Sequence, residues 1–174
     1  MRIFITGKPG VGKTTLILAV VNELKERGYS VGGIITKEIR EKGKRVGFMI
    51  RALDTGEEGI LAMVGDGYPR IGRYAVNIPD LERIGVGAIK RAVRNAQIIV
   101  IDEIGSMEFK SREFKRAVEE AIDSGKPLLA VVHRRYVDKF RKFGGIYTLN
   151  YSNREQMMKE VLKFLLKSIE RDTY

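Results

Sequence analysis

The sequence predicts an α/β fold with a mainly parallel central sheet between helical layers. Three observations carry that prediction. Short apolar runs at Ile3-Phe4-Ile5, Ile98-Ile99-Val100-Ile101 and Leu128–Val132 read as strands buried on both faces, the habit of parallel sheets. Segments with apolar residues at helical spacing separate them, as the crossovers of a parallel sheet require. Between the first strand and the first helix lies Gly7-Lys8-Pro9-Gly10-Val11-Gly12-Lys13-Thr14, with the spacing G-x-x-x-x-G-K-[ST].

Residues 2–6 form the first strand. Lys13 to Arg27 reads as a helix, with Leu16, Val20 and Leu24 on one face beside Ile17 and Val21, and Gly28 placed as its C′ stop. Val31–Thr36 is a second strand. In the middle third, Arg45–Leu53 and Gly59–Val64 flank the turn-rich Asp54-Thr55-Gly56-Glu57-Glu58, which predicts an antiparallel hairpin. Asp66-Gly67-Tyr68-Pro69 is loop and Arg73–Asn77 a short strand, so residues 42–78 read as a lid-like hairpin insertion beside the parallel core.

Helical spacing returns with Leu81, Ile84, Ala88, Ile89, Ala92 and Val93, against the helix-weakening Gly85 and Gly87. The buried strand 98–101 ends in Asp102-Glu103. Ser111 is placed to cap a helix carrying Phe114, Ala117, Val118, Ala121 and Ile122, which stops at Gly125. After strand 128–132 come a short basic helix and an edge strand, Gly145–Leu149. Ser152 with Glu155 spells a capping box for a terminal helix that buries Met157, Val161, Phe164, Leu165 and Ile169. No repeat, linker or low-complexity segment interrupts the pattern, so residues 1–174 read as a single domain.

Composition narrows the function classes. The 174 residues include no cysteine and one histidine, His133, which excludes disulfides, thiolate metal sites, a cysteine nucleophile and a histidine-rich zinc site. No apolar run approaches the ~20 residues of a membrane span and no signal peptide precedes the first strand, so a cytoplasmic protein is expected. The net charge of +10 suits a polyanionic ligand. Nucleic acid is one such ligand, but the basic residues are spread along the chain. Their densest group, His133-Arg134-Arg135 with Lys139, Arg141 and Lys142, is expected to lack the aromatic interleaving of a single-strand platform, so nucleic acid ranks below nucleotides as the partner.

The glycine-rich stretch supplies the chemistry. Small residues let the backbone wrap a phosphate with its N–H groups inward, and the helix that follows adds partial positive charge. This is the P-loop, and with it the fold becomes a three-layer P-loop NTPase fold. Gly7, Lys8, Pro9, Gly10, Val11, Gly12, Lys13, Thr14 and Thr15 are the expected phosphate contacts; Lys13 reaches the β- and γ-phosphates and the Thr14 hydroxyl ligates Mg²⁺. A carboxylate at the end of a buried strand completes such a metal site, and Asp102 is that residue if strand 98–101 lies beside the first strand. Glu103 is then placed to orient and deprotonate an attacking water, with Ile101, Ile104 and Gly105 around it. Asp102–Gly105 also spells D-x-x-G, but the Asn-Lys-x-Asp loop that reads guanine is missing, which points to loose base selection. For a transition-state or lid cation the candidates are Arg73, Arg134 and Arg135.

Several longer stretches go beyond these motifs. Gly33–Arg40 with Arg45-Val46-Gly47-Phe48, Gly72–Val76, Ile101–Glu108 and the pair Asn153-Arg154 together resemble the small nucleoside-triphosphatases known as the thermophilic or cancer-related NTPase family. The similarity runs over nearly the whole chain and departs at Ser106, where Lys or Pro is common. It implies Mg²⁺-dependent hydrolysis of several nucleoside triphosphates to diphosphates, with Asn153 and Arg154 on the base side. Two other readings compete: a nucleotide or small-metabolite kinase, against which Glu103 argues, and a nucleotide-dependent binding module for RNA or a protein. A monomer is expected, since no exposed coiled coil is evident.

Overall fold

The computed structural model describes residues 1–172. β1 (Arg2–Thr6) leads through the glycine-rich loop into α1 (Lys13–Glu26), which ends where Gly28 takes a φ of 87°. β2 (Val31–Glu41), β3 (Lys44–Ala52) and β4 (Glu58–Val64) follow as an antiparallel meander, and the short β5 (Arg70–Ile71) and β6 (Tyr74–Val76) extend it. α2 (Ile78–Asp80), a π-helical stretch at Leu81–Val86 and α3 (Gly87–Asn95) then run on without a break. The wide π turn falls where Gly85 packs under the Ile50 side chain. β7 (Ile98–Ile104), α4 (Arg112–Asp123), β8 (Leu128–Val132), α5 (Val137–Phe140), β9 (Gly145–Thr148) and α6 (Arg154–Asp172) complete the chain.

All nine strands join one sheet, in the order β5-β6-β4-β3-β2-β7-β8-β1-β9. From β2 to β9 the neighbours are parallel, and from β2 to β5 they are antiparallel. Strand alternation splits the core. Ile3 and Ile5 face α1 and α6 together with Val100, Leu129 and Val131, while Phe4, Ile99, Ile101 and Ala130 face α3 and α4. Each fully buried side chain of this kind contributes about 1.5–3 kcal/mol. α4 starts as its sequence dictates, with the Phe114 N–H donating to the Ser111 hydroxyl at 3.1 Å.

Three details differ from the sequence reading. β2 does not stop at Thr36 but continues to Glu41 and turns through Lys42 and Gly43, both at positive φ, to pair with β3. Residues 37–41 alternate charge with little apolar content, so only this pairing makes them a strand. At the start of α6 the capping box is replaced: the Ser152 hydroxyl donates to the Asn150 side chain at 2.7 Å, and that same oxygen accepts the Asn153 N–H at 3.0 Å. The third difference bears on the site. β7 does not lie beside β1, because β8 is inserted between them.

Candidate active site

The insertion of β8 puts β1 and β7 two strand spacings apart, about 9–10 Å. Their C-terminal ends therefore face each other across a gap. On the β1 side the loop turns through Gly7, Gly10 and Gly12, all at positive φ, and Gly12 opens α1. The Lys13 ammonium folds back over this loop, donating to the carbonyl oxygens of Gly7 at 2.7 Å and Lys8 at 3.1 Å. Its burial lowers its pKa, an effect opposed by the charges of Glu103 and Asp102.

On the β7 side Asp102 is 2% exposed, and its carboxylate lies close enough to the Thr14 hydroxyl for that group to favour the charged form. Its Oδ2 is buried without a hydrogen-bond partner among the described residues. Burial, and next the charge of Glu103, push Asp102 up to about 7. Glu103 is also raised by burial, while Lys13 and His133 pull against that shift. The Asp102–Glu103 peptide is cis. Lys13, Thr14, Asp102 and Glu103 thus converge although 88 residues or more separate the two pairs in sequence.

An orphaned buried carboxylate oxygen next to a hydroxyl suits a hard divalent cation. Mg²⁺ takes one or two protein oxygens and fills the remaining positions with water and phosphate. Among the described residues no cluster of three or more His, Asp or Glu is arranged to hold a metal.

The other sequence candidates divide. Arg154 lies directly over the loop: a Cβ on Gly12 would come 3.1 Å from its guanidinium. Asn153 is spent on the backbone, accepting the Asn150 N–H at 2.9 Å and donating to the Thr148 carbonyl at 3.0 Å. His133 follows β8, and its Nδ1 accepts the Arg135 N–H at 3.1 Å. The charge of Arg134 reaches Lys13 across the mouth of the gap. Arg135 points elsewhere, into a groove with Tyr136 and Phe109. Arg73 is held in the antiparallel strands, donating to the Arg45 carbonyl and the Tyr74 hydroxyl, both at 3.0 Å. From β6 to β1 is six strand spacings, roughly 29 Å, so Arg73 is not gathered into the cluster.

Two residues were missed. Tyr151 is 72% exposed, donates its hydroxyl to the Gly10 carbonyl at 3.3 Å and lies under Arg154, with 5.7 Å from guanidinium to ring centre. An exposed aromatic in a loop that the parallel topology returns to the P-loop was the available signal. Glu108 is a carboxyl only 3% exposed; burial and the charge of Glu103 raise it well above the ordinary range. The basic group at 133–142 also differs from its reading. Lys139, Lys142 and, from α4, Lys115 lie over the rings of Tyr136, Phe143 and Phe109, so aromatic and basic side chains do interleave there. No helix among the described residues is long and apolar enough to cross a membrane.

Comparison with known proteins agrees with this geometry. A family model described as NTPase matches residues 2–162. The nucleoside-triphosphatase THEP1 of Methanocaldococcus jannaschii is 59% identical over 98% of this chain and 100% of its own length. That of Pyrococcus abyssi is 53% identical over 99% and 96%. Among solved structures, THEP1 from Aquifex aeolicus superposes with a TM-score of 0.81 at 31% identity, covering 95% of this chain and 99% of that one. A human cancer-related nucleoside triphosphatase gives 0.80 at 31%, covering 96% and 98%. The chain belongs to the THEP1 family of nucleoside-triphosphatases, P-loop hydrolases built on a mostly parallel sheet.

Proposed function

We propose that the chain is a Mg²⁺-dependent phosphohydrolase that converts nucleoside triphosphates to diphosphates with little selection among bases, ATP, GTP, CTP, UTP and TTP included. The observation that carries this reading is the convergence of Lys13 and Thr14 with Asp102 and Glu103, one carboxylate oxygen of Asp102 being left without a protein partner. Thr14 and Asp102 would hold Mg²⁺, which when bound neutralises charge on the phosphates. The remaining work falls to the chain itself. Lys13 exchanges its two loop carbonyls for phosphate oxygens, and the loop amides fix the γ-phosphoryl group, so positioning supplies most of the catalysis. Glu103, held partly out of water, orients the attacking water and takes its proton; its raised pKa brings its basicity closer to neutral pH, as a general base requires. Arg134, whose charge acts on Lys13, is a candidate cation for the developing charge.

Base recognition follows from Tyr151 and Arg154. An exposed ring offers a stacking face to any base and no hydrogen-bonding edge that would reject one, so kcat/KM for the common triphosphates lies within about tenfold. Phosphate release across a triphosphate panel, with and without Mg²⁺ and with no acceptor added, tests substrate range, metal and reaction together. Glu103→Gln lowers kcat by about 10²–10⁴ and leaves nucleotide affinity within a few-fold. Hydrolysis by that variant within threefold of wild type removes the base assignment.

A further inference from the structure

The basic segment after β8 meets α4 and the 3₁₀ turn at Glu108–Lys110 around a groove of about 920 Å³. No residue of the glycine-rich loop lines it; Ser106 ties it to the end of β7, its hydroxyl 2.9 Å from that of Tyr136. Three half-buried rings, Phe109, Tyr136 and Phe143, line the groove. Each carries an exposed lysine: the ammonium of Lys115 lies 5.6 Å from the Phe109 ring centre, Lys139 5.5 Å from Tyr136 and Lys142 5.0 Å from Phe143. Lys110 and Arg135 add two more cations, and among the described residues none of the five enters an ion pair. Against them stand Glu119, Asp123 and Asp138, the last already held by Arg141 at 2.8 Å.

We propose that this groove binds a single strand of nucleic acid, its bases stacking on Phe109, Tyr136 and Phe143 and its phosphates taking the lysine ammoniums. A cationic groove floored with aromatic rings is the arrangement that holds single strands without reading their sequence. An ammonium over an exposed ring is held weakly, and its stem is flexible, so each lysine can swing to a phosphate and bare the ring for a base. The chain's net charge of +10 favours the approach of such a polyanion. A protein partner fits less well, since lysine is depleted from protein interfaces and here borders every ring. A duplex keeps its base faces stacked inside, out of reach of rings in a groove.

Fluorescence anisotropy on the full chain tests this with labelled oligouridylate and oligodeoxythymidylate of about twelve nucleotides. A duplex of equal length and polyglutamate serve as rival polyanions, and excess ADP and Mg²⁺ keep the strand off the P-loop. A single strand binds with a Kd of about 1–50 µM at ~50 mM salt, and the duplex at least about tenfold more weakly. The tighter of the two strands names RNA or DNA as the ligand. Tyr136→Ala and Phe143→Ala each raise Kd roughly 5- to 100-fold and leave the salt dependence unchanged. Lys139→Gln/Lys142→Gln weakens binding and flattens the slope of log Kd against log salt by about 1.4. Lys159→Gln/Lys163→Gln removes the same charge from exposed positions on α6, and shifts Kd by less than about twofold. If Phe143→Ala does not fold, Phe143→Leu keeps an apolar side chain without a stacking face and must show the loss. No binding of either strand, ring variants that bind like wild type, or equal losses from the two lysine pairs would each overturn the proposal. So would a duplex or polyglutamate that binds as tightly as the strands.

Discussion

The parallel and antiparallel halves of the one sheet treat charge in opposite ways. Six of the nine ion pairs among the described residues join partners between Glu38 and Arg91, around the antiparallel strands. Arg51 meets Glu58 across β3 and β4, Arg91 meets Asp54, and Arg45 and Arg40 share Glu38. In the parallel half, Asp102, Glu103 and Glu108 are buried or nearly so, enter no ion pair, and sit above their ordinary pKa, while Lys13 sits below its own. Satisfied surface charge needs no function to explain it. Buried acids without cationic partners are costly, and they gather where a ligand will supply the missing charge.

The largest effect expected from this contrast is at Lys13. Among the described residues its ammonium donates to the carbonyls of Gly7 and Lys8 alone, so Lys13→Ala removes little from the fold. It takes away the principal fixed positive charge on the phosphates, and kcat/KM falls by at least about 10³-fold. Unchanged turnover with an intact circular-dichroism spectrum would end the P-loop assignment.

Asp102→Asn comes next, and here the two halves differ in sign. A carboxyl at about 7 in the folded chain and 3.8 in the reference state binds more protons when folded. The nucleotide-free protein therefore loses stability as pH rises from about 4 to about 7, by up to ~4 kcal/mol for a shift of that size. Asparagine does not ionise, so the variant escapes this loss. Its melting temperature gains on the wild type between pH 5 and pH 8, by on the order of 5–10 °C, while Mg²⁺-dependent turnover collapses. A gap that stays constant with pH would show that Asp102 ionises without penalty.

A smaller effect is expected at the loop's outer edge. Tyr151→Ala raises KM roughly tenfold for ATP, GTP, CTP and UTP alike, within the range of base–aromatic stacking, and leaves kcat within about twofold. A loss confined to one base would mean that Tyr151 reads an edge instead of offering a face.

How much of this was legible in the sequence depended on range. The P-loop and the Ser111 cap are local patterns that stand where their residues put them, and the apolar strand does too, except that it runs on through Asp102-Glu103 to Ile104. Strand order is not local. Nothing in Leu128–Val132 says that it inserts between β1 and β7, yet that insertion sets the width of the gap. Residues 37–41 carry no apolar alternation and become strand only because β3 pairs with them. Glu108 stands at the end of the resembling stretch Ile101–Glu108 but received no role there, because its burial follows only from the turn at Glu108–Lys110.

The smallest effect tests whether the antiparallel half is only scaffold. The Arg51 guanidinium meets the Glu58 carboxylate through both Nε and Nη2, with side chains 35% and 46% exposed. Water and salt screen such a pair, so Arg51→Ala costs about 0.2–1 kcal/mol. For a chain of this size that is ~1–4 °C in melting temperature, and high salt should shrink it. Turnover stays within twofold, because neither residue faces the gap between β1 and β7. A lid would behave differently. If β3 and β4 close over bound nucleotide, a pair that stiffens them biases opening, and kcat changes with hardly any change in stability. A tenfold shift in kcat for Arg51→Ala with melting unchanged would therefore break the division drawn above, and would make residues 42–78 a moving part of the enzyme.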